Sequence, residues 1–232
     1  AHLRVGPRQG DGRVMVDYAS ARTKMVDGQI RPSDVTDYRI ISAMLDIPRD
    51  AFLTPSQKPL AYSDLPMKFS DGTREMVLPM TLARLIQAAA IQSGDVVLDL
   101  GCGPGYSSAV IARLASSVVA LEEDAAVAAR AGETLVELGI DNVAVVTGRL
   151  AEGYPDEAPY DVIVIAGAVE VMPDDIGAQL KDGGRLVVIE GTGQAGRLML
   201  YVKSGEDLAG RIVANASARV LPGFARLPEF EF

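Results

Sequence analysis

From residue 79 onward, short apolar runs alternate with amphipathic or alanine-rich segments. The apolar runs are Val96–Leu100, Ser117–Leu121, Val143–Thr147, Val162–Ala166 and Arg185–Ile189, each bounded by polar residues or glycine. Runs of this length with turn residues on both sides predict strands buried on two faces. Between them, helices are predicted from Pro79 to about Ile91, Ser107 to Ala115, Ala125 to Leu138 (stopped by Gly139) and Asp174 to Leu180. Proline suits the first helical position, because its missing N–H would be unpaired there in any case. Strands alternating with helices in this way predict a doubly wound, mostly parallel α/β sheet. The pattern changes near the end: Leu198–Lys203 and Ile212–Val220 flank Ser204-Gly205-Glu206-Asp207, which predicts an antiparallel hairpin and brings the sheet to seven strands.

The N-terminal third reads differently. Tyr18 to about Ile30 has a helical pattern, and Ser33 or Asp34 is the expected cap of a second helix running through Met44. Pro48 then breaks the helix, since the residue before proline disfavours the α region. Leu60 to Gly72 is expected to be a loop. Residues 1–14, rich in Gly and Arg without periodicity, read as a leader or an expression remnant, with Met15 a plausible natural start. The expected organisation is therefore residues 15–78 as a small helical cap with a loop, and 79–232 as the ligand-binding domain, the two forming one unit.

The stretch richest in chemistry follows the first strand: Asp99-Leu100-Gly101-Cys102-Gly103-Pro104-Gly105-Tyr106. Three alternate glycines permit positive φ and bring bare backbone close to a ligand, and the next helix points its free N–H groups at the turn. The dinucleotide fingerprint needs its third glycine where Tyr106 stands. The observed D-x-G-x-G-x-G resembles motif I of class I methyltransferases, which implies S-adenosylmethionine as cofactor. Glu122, directly after the second strand and about twenty residues beyond the turn, is placed to accept hydrogen bonds from ribose hydroxyls, whereas Glu123 and Asp124 suit the start of the next helix. The ligand belongs at the carboxyl ends of the strands, so Asp99, Gly101, Cys102, Gly103, Gly105, Glu122, Gly148, Arg149 and Leu150 are the candidate cofactor residues, with Ala166-Gly167-Ala168 as a further wall.

Composition narrows the chemistry. The single histidine is His2, so a triad, a histidine base or a histidine-ligated metal is not expected. Cys102, the single cysteine, has no internal partner for a disulfide, which fits a reducing cytoplasm. A formal charge of −9 argues against binding nucleic acid through phosphate contacts. No apolar run reaches the roughly 18 residues that span a bilayer.

The chain also resembles the protein-L-isoaspartate O-methyltransferase family over about Met25 to Gly223. The likeness is carried by Met25-Val26-x-x-Gln29-Ile30, Ile47-Pro48-Arg49-x-x-Phe52, Ala61-Tyr62-x-Asp64, Ala158-Pro159-Tyr160-Asp161, Gly183-Gly184-Arg185-Leu186-Val187 and Val220-Leu221-Pro222. It implies a Rossmann-like methyltransferase fold, S-adenosylmethionine as cofactor, and an isoaspartyl or D-aspartyl carboxylate of damaged protein as acceptor. The chain departs from the family where hydroxyls of a Gln-Thr-Ile-Ser-Gln-Pro-like loop line the transfer site. Aligned on Pro79, this chain has Arg74-Glu75-Met76-Val77-Leu78, with Glu75 at the threonine place and Val77 at the serine place. The acidic residue of the family's Gly-Asp-Gly is likewise replaced, by Arg149. Thr73, Ser70 or Arg74 are the candidates for the missing contacts. The alternatives are a paralogue that keeps the cofactor and uses another acceptor, or a binding protein without catalysis.

Overall fold

The structure is a computed structural model and describes residues 17–226; the expected leader and Met15 lie outside the described residues. Its centre is a seven-stranded sheet of β3 (Val96–Leu100), β4 (Ser117–Glu122), β5 (Val143–Thr147), β6 (Tyr160–Val169), β7 (Leu180–Glu190), β8 (Arg197–Ser204) and β9 (Asp207–Asn215). Two short strands, β1 (Met67–Phe69) and β2 (Arg74–Met76), form a separate hairpin. The helices are α1 (Tyr18–Met25), α2 (Tyr38–Asp46), α3 (Pro79–Ala89), α4 (Tyr106–Ala112), α5 (Ala125–Glu137) and α6 (Asp174–Ala178).

Strand order across the sheet is β5-β4-β3-β6-β7-β8-β9. The first five strands are parallel, and β8 and β9 close the sheet as an antiparallel meander. The order reverses between β3 and β6, which makes the carboxyl ends of these two strands the switch point where α/β sheets bind ligands. Successive residues alternate between two cores. Val97, Val118, Val162, Val164 and Val187 face the core shared with α2, α3, α4 and the N-terminal segment. Leu98, Leu121, Ile163, Ile165, Leu186 and Val188 face a second core with Tyr160, Ile176, Leu221 and Phe224. Both faces of β3, β4 and β6 are dry, which is why these strands read as unbroken apolar runs, whereas β5, expected to be buried on two faces, lies at the sheet edge and is only half-buried.

Several boundaries differ from the expected ones. The cap of α2 is Asp37, whose carboxylate accepts the Arg39 N–H at 2.9 Å. Asp34 instead takes a left-handed conformation, φ 60°, after a 3-10 turn over Arg31–Ser33. A π-helical turn, Val26–Ile30, completes the first predicted helix. Strand β6 runs on to Val169 and β7 begins at Leu180, because neighbouring backbone continues the ladder on both sides. The hairpin turn is Gly205-Glu206, with Ser204 paired to Asp207; β9 therefore ends at Asn215, and Val220 pairs separately with Ala168. The segment expected to be a loop contains β1, and Met67-Lys68-Phe69 pairs with Met76-Glu75-Arg74.

Candidate functional site

The glycine turn after β3 is strapped to the end of β4. Gly101 and Cys102 N–H groups donate to the Leu121 carbonyl at 2.9 and 3.2 Å, and Gly103 N–H donates to Glu122 Oε2 at 2.9 Å. Gly103 has φ +54° and Gly105 φ +101°, where a side chain would be strained. Crowding adds to this, since a Cβ on Gly105 would stand 3.2 Å from Ala131 Cβ of α5.

Two carboxylates flank the turn, and their environments differ. Glu122 is fully buried and accepts the Glu123 and Asp124 N–H groups at 2.9 and 3.0 Å. Its Oε1 also takes the guanidinium of Arg74, itself 7% exposed. Asp99, fully buried at the end of β3, accepts the hydroxyls of Ser107 and Ser108 through Oδ2, each at 2.6 Å. Its Oδ1 has no protein partner. Burial pushes its pKa up to about 6, against the two serine hydroxyls, which favour the carboxylate. Burial and the nearby Asp99 and Glu122 charges likewise hold the Cys102 thiol well above its ordinary value, which disfavours a thiolate nucleophile.

The hairpin covers this turn. One face of it carries Phe69 and Arg74: the Arg74 guanidinium lies 4.8 Å from the Phe69 ring centroid and also reaches the Gly101 carbonyl at 3.4 Å. Phe69 rests on the turn so closely that a Cβ at Gly103 would be 2.8 Å from its Cζ. From the other side, Leu221 packs against Gly101 and Gly167, held there by its N–H to the Ala168 carbonyl at 2.9 Å. What remains beneath is a cavity of about 20 Å³ lined by Arg49, Phe69, Val77, Gly101, Gly103, Tyr106 and their neighbours, space for about one water.

Asp99, Gly101, Cys102, Gly103, Gly105 and Glu122 thus come together at the switch point. Gly148 is tied in through its N–H to the Glu122 carbonyl at 3.1 Å. Arg149 is turned to solvent in an ion pair with Glu152 at 3.0 Å, and Leu150 is buried in the second core. Of the loop candidates, Arg74 is inside the site. Thr73 and Ser70 are exposed at the hairpin tip, where Ser70 donates to Asp124, the N-cap of α5. Val77 lines the cavity, and Glu75, also at its edge, forms an ion pair with Arg219 at 3.0 Å.

Sequence reading did not single out Arg49, Phe69 or Leu221 as site residues. The alternation Met-Lys-Phe and Arg-Glu-Met was the available signal for a hairpin with one buried face. No local signal places Leu221 or Arg49, which arrive through the tail and the N-terminal segment.

A sequence model of the protein-L-isoaspartate(D-aspartate) O-methyltransferase family matches residues 20–221. The protein-L-isoaspartate O-methyltransferase of Koribacter versatilis is 37% identical over 198 residues, 85% of this chain and 87% of the relative. Protein-L-isoaspartate O-methyltransferase 1 of Rhodopseudomonas palustris strain HaA2 is 38% identical over 191 residues, 82% of this chain and 78% of the relative. A solved protein-L-isoaspartate O-methyltransferase superposes with a TM-score of 0.75 at 30% identity, covering 87% of this chain; this chain spans 66% of that structure. A Plasmodium falciparum structure described as that enzyme in complex with S-adenosyl-L-homocysteine has a TM-score of 0.70 at 17% identity, covers 89% of this chain and 99% of its own, and shares the fold. Since the family match runs from the first helix to the tail that closes the switch point, the chain belongs to the protein-L-isoaspartate(D-aspartate) O-methyltransferase family.

Proposed function

We propose that this protein is an S-adenosylmethionine-dependent carboxyl methyltransferase acting on isoaspartyl or D-aspartyl residues of damaged proteins, a repair activity of the cytoplasm without nucleic-acid or membrane partners. The observation that carries the reading is the buried Glu122 carboxylate beside the bare backbone of Gly101–Gly105 at the switch point. Its polar groups fit the cofactor: Glu122 suits the hydroxyls of a ribose diol and the unpaired Asp99 Oδ1 suits an ammonium. When bound, S-adenosylmethionine supplies an electrophilic methyl group. The chain's own part is to hold both reactants in line and to keep water out. An ionised acceptor carboxylate is already a nucleophile, so the lack of histidine or thiolate at the site is no obstacle.

Room must be made first. Small-molecule sites enclose roughly 300–1,000 Å³, far more than this cavity, and Arg74 occupies the carboxylate assigned to the ribose. Withdrawal of the hairpin, whose strands pair solely with each other, opens the site. A second reading, a different acceptor, is favoured by Val77, which faces the cavity without a hydroxyl to donate, and by the Glu75–Arg219 pair beside it.

Calorimetric titration with S-adenosylmethionine, followed by methyl transfer to an isoaspartyl peptide, tests the proposal. Binding with turnover is the expected result. Binding without turnover selects the second reading, and absence of binding overturns both.

A further inference from the structure

Arg49 is a buried cation with no counter-charge. It opens a 3-10 turn, Arg49–Phe52, and is 1% exposed. Its Nη2 reaches the Val77 carbonyl at 3.5 Å, the outer limit of a hydrogen bond, while Nε and Nη1 have no partner at all. The guanidinium lies over the Tyr106 ring, 4.9 Å from its centroid, and Tyr106 Oη is also unpartnered. A ring face compensates a desolvated cation partially. The acids around it are engaged elsewhere: Asp50 with the Tyr62 hydroxyl, Asp99 Oδ2 with Ser107 and Ser108, and Glu75 with Arg219.

A charge taken out of water without an acceptor is among the costliest arrangements a fold can hold. Arg74, the other buried arginine in the site, has its carboxylate, whereas Arg49 has none. It lines the cavity at the glycine turn together with Val77 and Tyr106. A guanidinium offers a planar fork of donors that matches a carboxylate with two parallel hydrogen bonds. We propose that Arg49 is a carboxylate-binding residue, and that the ligand brings the counter-charge the apo protein lacks. Resting on the reading above, the inference admits two sources of carboxylate: the amino-acid end of the cofactor, or the acceptor side chain.

Arg49→Met, which keeps length and removes charge, is compared with Arg49→Lys and the wild type. Thermal unfolding without ligand is measured first. Arg49→Met should melt at or above the wild type, because an uncompensated charge is gone; a fall of several degrees overturns the proposal by showing that the charge is satisfied in the apo fold. Affinities for S-adenosylhomocysteine and for 5′-methylthioadenosine, which lacks the amino-acid group, are then measured by calorimetry. If the carboxylate is the cofactor's, Arg49→Met weakens S-adenosylhomocysteine at least tenfold and leaves methylthioadenosine unchanged. If it is the acceptor's, both nucleosides bind as before and KM for an isoaspartyl peptide rises at least tenfold, with partial recovery in Arg49→Lys. No change in either quantity overturns the inference. Should the wild type bind neither nucleoside, the cofactor reading fails instead, and malonate becomes the probe: protection of the wild type against thermal unfolding, absent in Arg49→Met, supports the inference, and its absence from both refutes it.

Discussion

Two acidic side chains, Asp99 and Glu122, flank the glycine turn from adjacent strands, and their surroundings differ. Glu122 is met by three N–H groups and a guanidinium. Asp99 is met by two hydroxyls and otherwise by apolar packing, so burial prevails and its pKa rises from 3.8 to about 6. A raised pKa means that the folded state holds its proton longer than the unfolded chain. The stability this group contributes is fully present below about pH 4 and is lost as pH rises through about 6, in total roughly 3 kcal/mol. Asp99→Asn, which keeps an acceptor for both serines, should remove that loss, so that its stability relative to the wild type grows between pH 4 and 6; urea unfolding across this range measures it. Asp99 was legible as a site residue from the motif. Its protonation was not, because pKa depends on how completely neighbouring elements exclude water.

At the level of the element, the β1–β2 hairpin covers the glycine turn. Its six strand residues pair with one another alone, and its buried face delivers Phe69 and Arg74 to the turn. Three-residue strands carry too few alternating positions to stand out from the turn residues around them, hence the expectation of a loop. Arg74, whose guanidinium competes for the Glu122 carboxylate, sets the cost of opening. Arg74→Gln should therefore bind S-adenosylhomocysteine about tenfold more tightly or better, because the open hairpin is more populated, while lowering the melting temperature. Glu122 keeps its three amide donors in that variant, so the buried carboxylate is not stranded. Unchanged affinity in calorimetry would show that the hairpin is no barrier.

For the molecule as a whole, the sheet and its two cores arrange the site, and the tail completes it. Leu221 is 5% exposed and fills the space against Gly101 and Gly167, 120 residues from the first and 54 from the second along the chain. Leu221→Ala should cost about 2–4 kcal/mol through the cavity left at the switch point, read as a lower denaturant midpoint with an unchanged slope. Helices α1 and α2 share the core of the sheet through Met25, Ile30, Ile40 and Met44, so the N-terminal segment and the sheet stabilise each other. Among the described residues, no helix is long and apolar enough to cross a membrane.

What the sequence determined by itself is what depends on local order: which segments form the parallel strands of the sheet, where the glycine turn falls, and the acidic residue about twenty positions later. Short apolar runs bounded by turn residues and positive φ in a turn leave marks in the order of residues, and Val96–Leu100, Val143–Thr147 and Gly101–Gly105 carry those marks. Tertiary structure alone decided how the predicted side chains are partnered and which further ones join them. Arg49, Arg74 and Leu221 come to one turn from three distant segments, and whether a charge meets a partner, a ring or nothing is fixed by packing across those distances. The chain order thus specifies a cofactor turn, and the fold determines that this turn lies closed beneath its own hairpin with one buried cation unmatched.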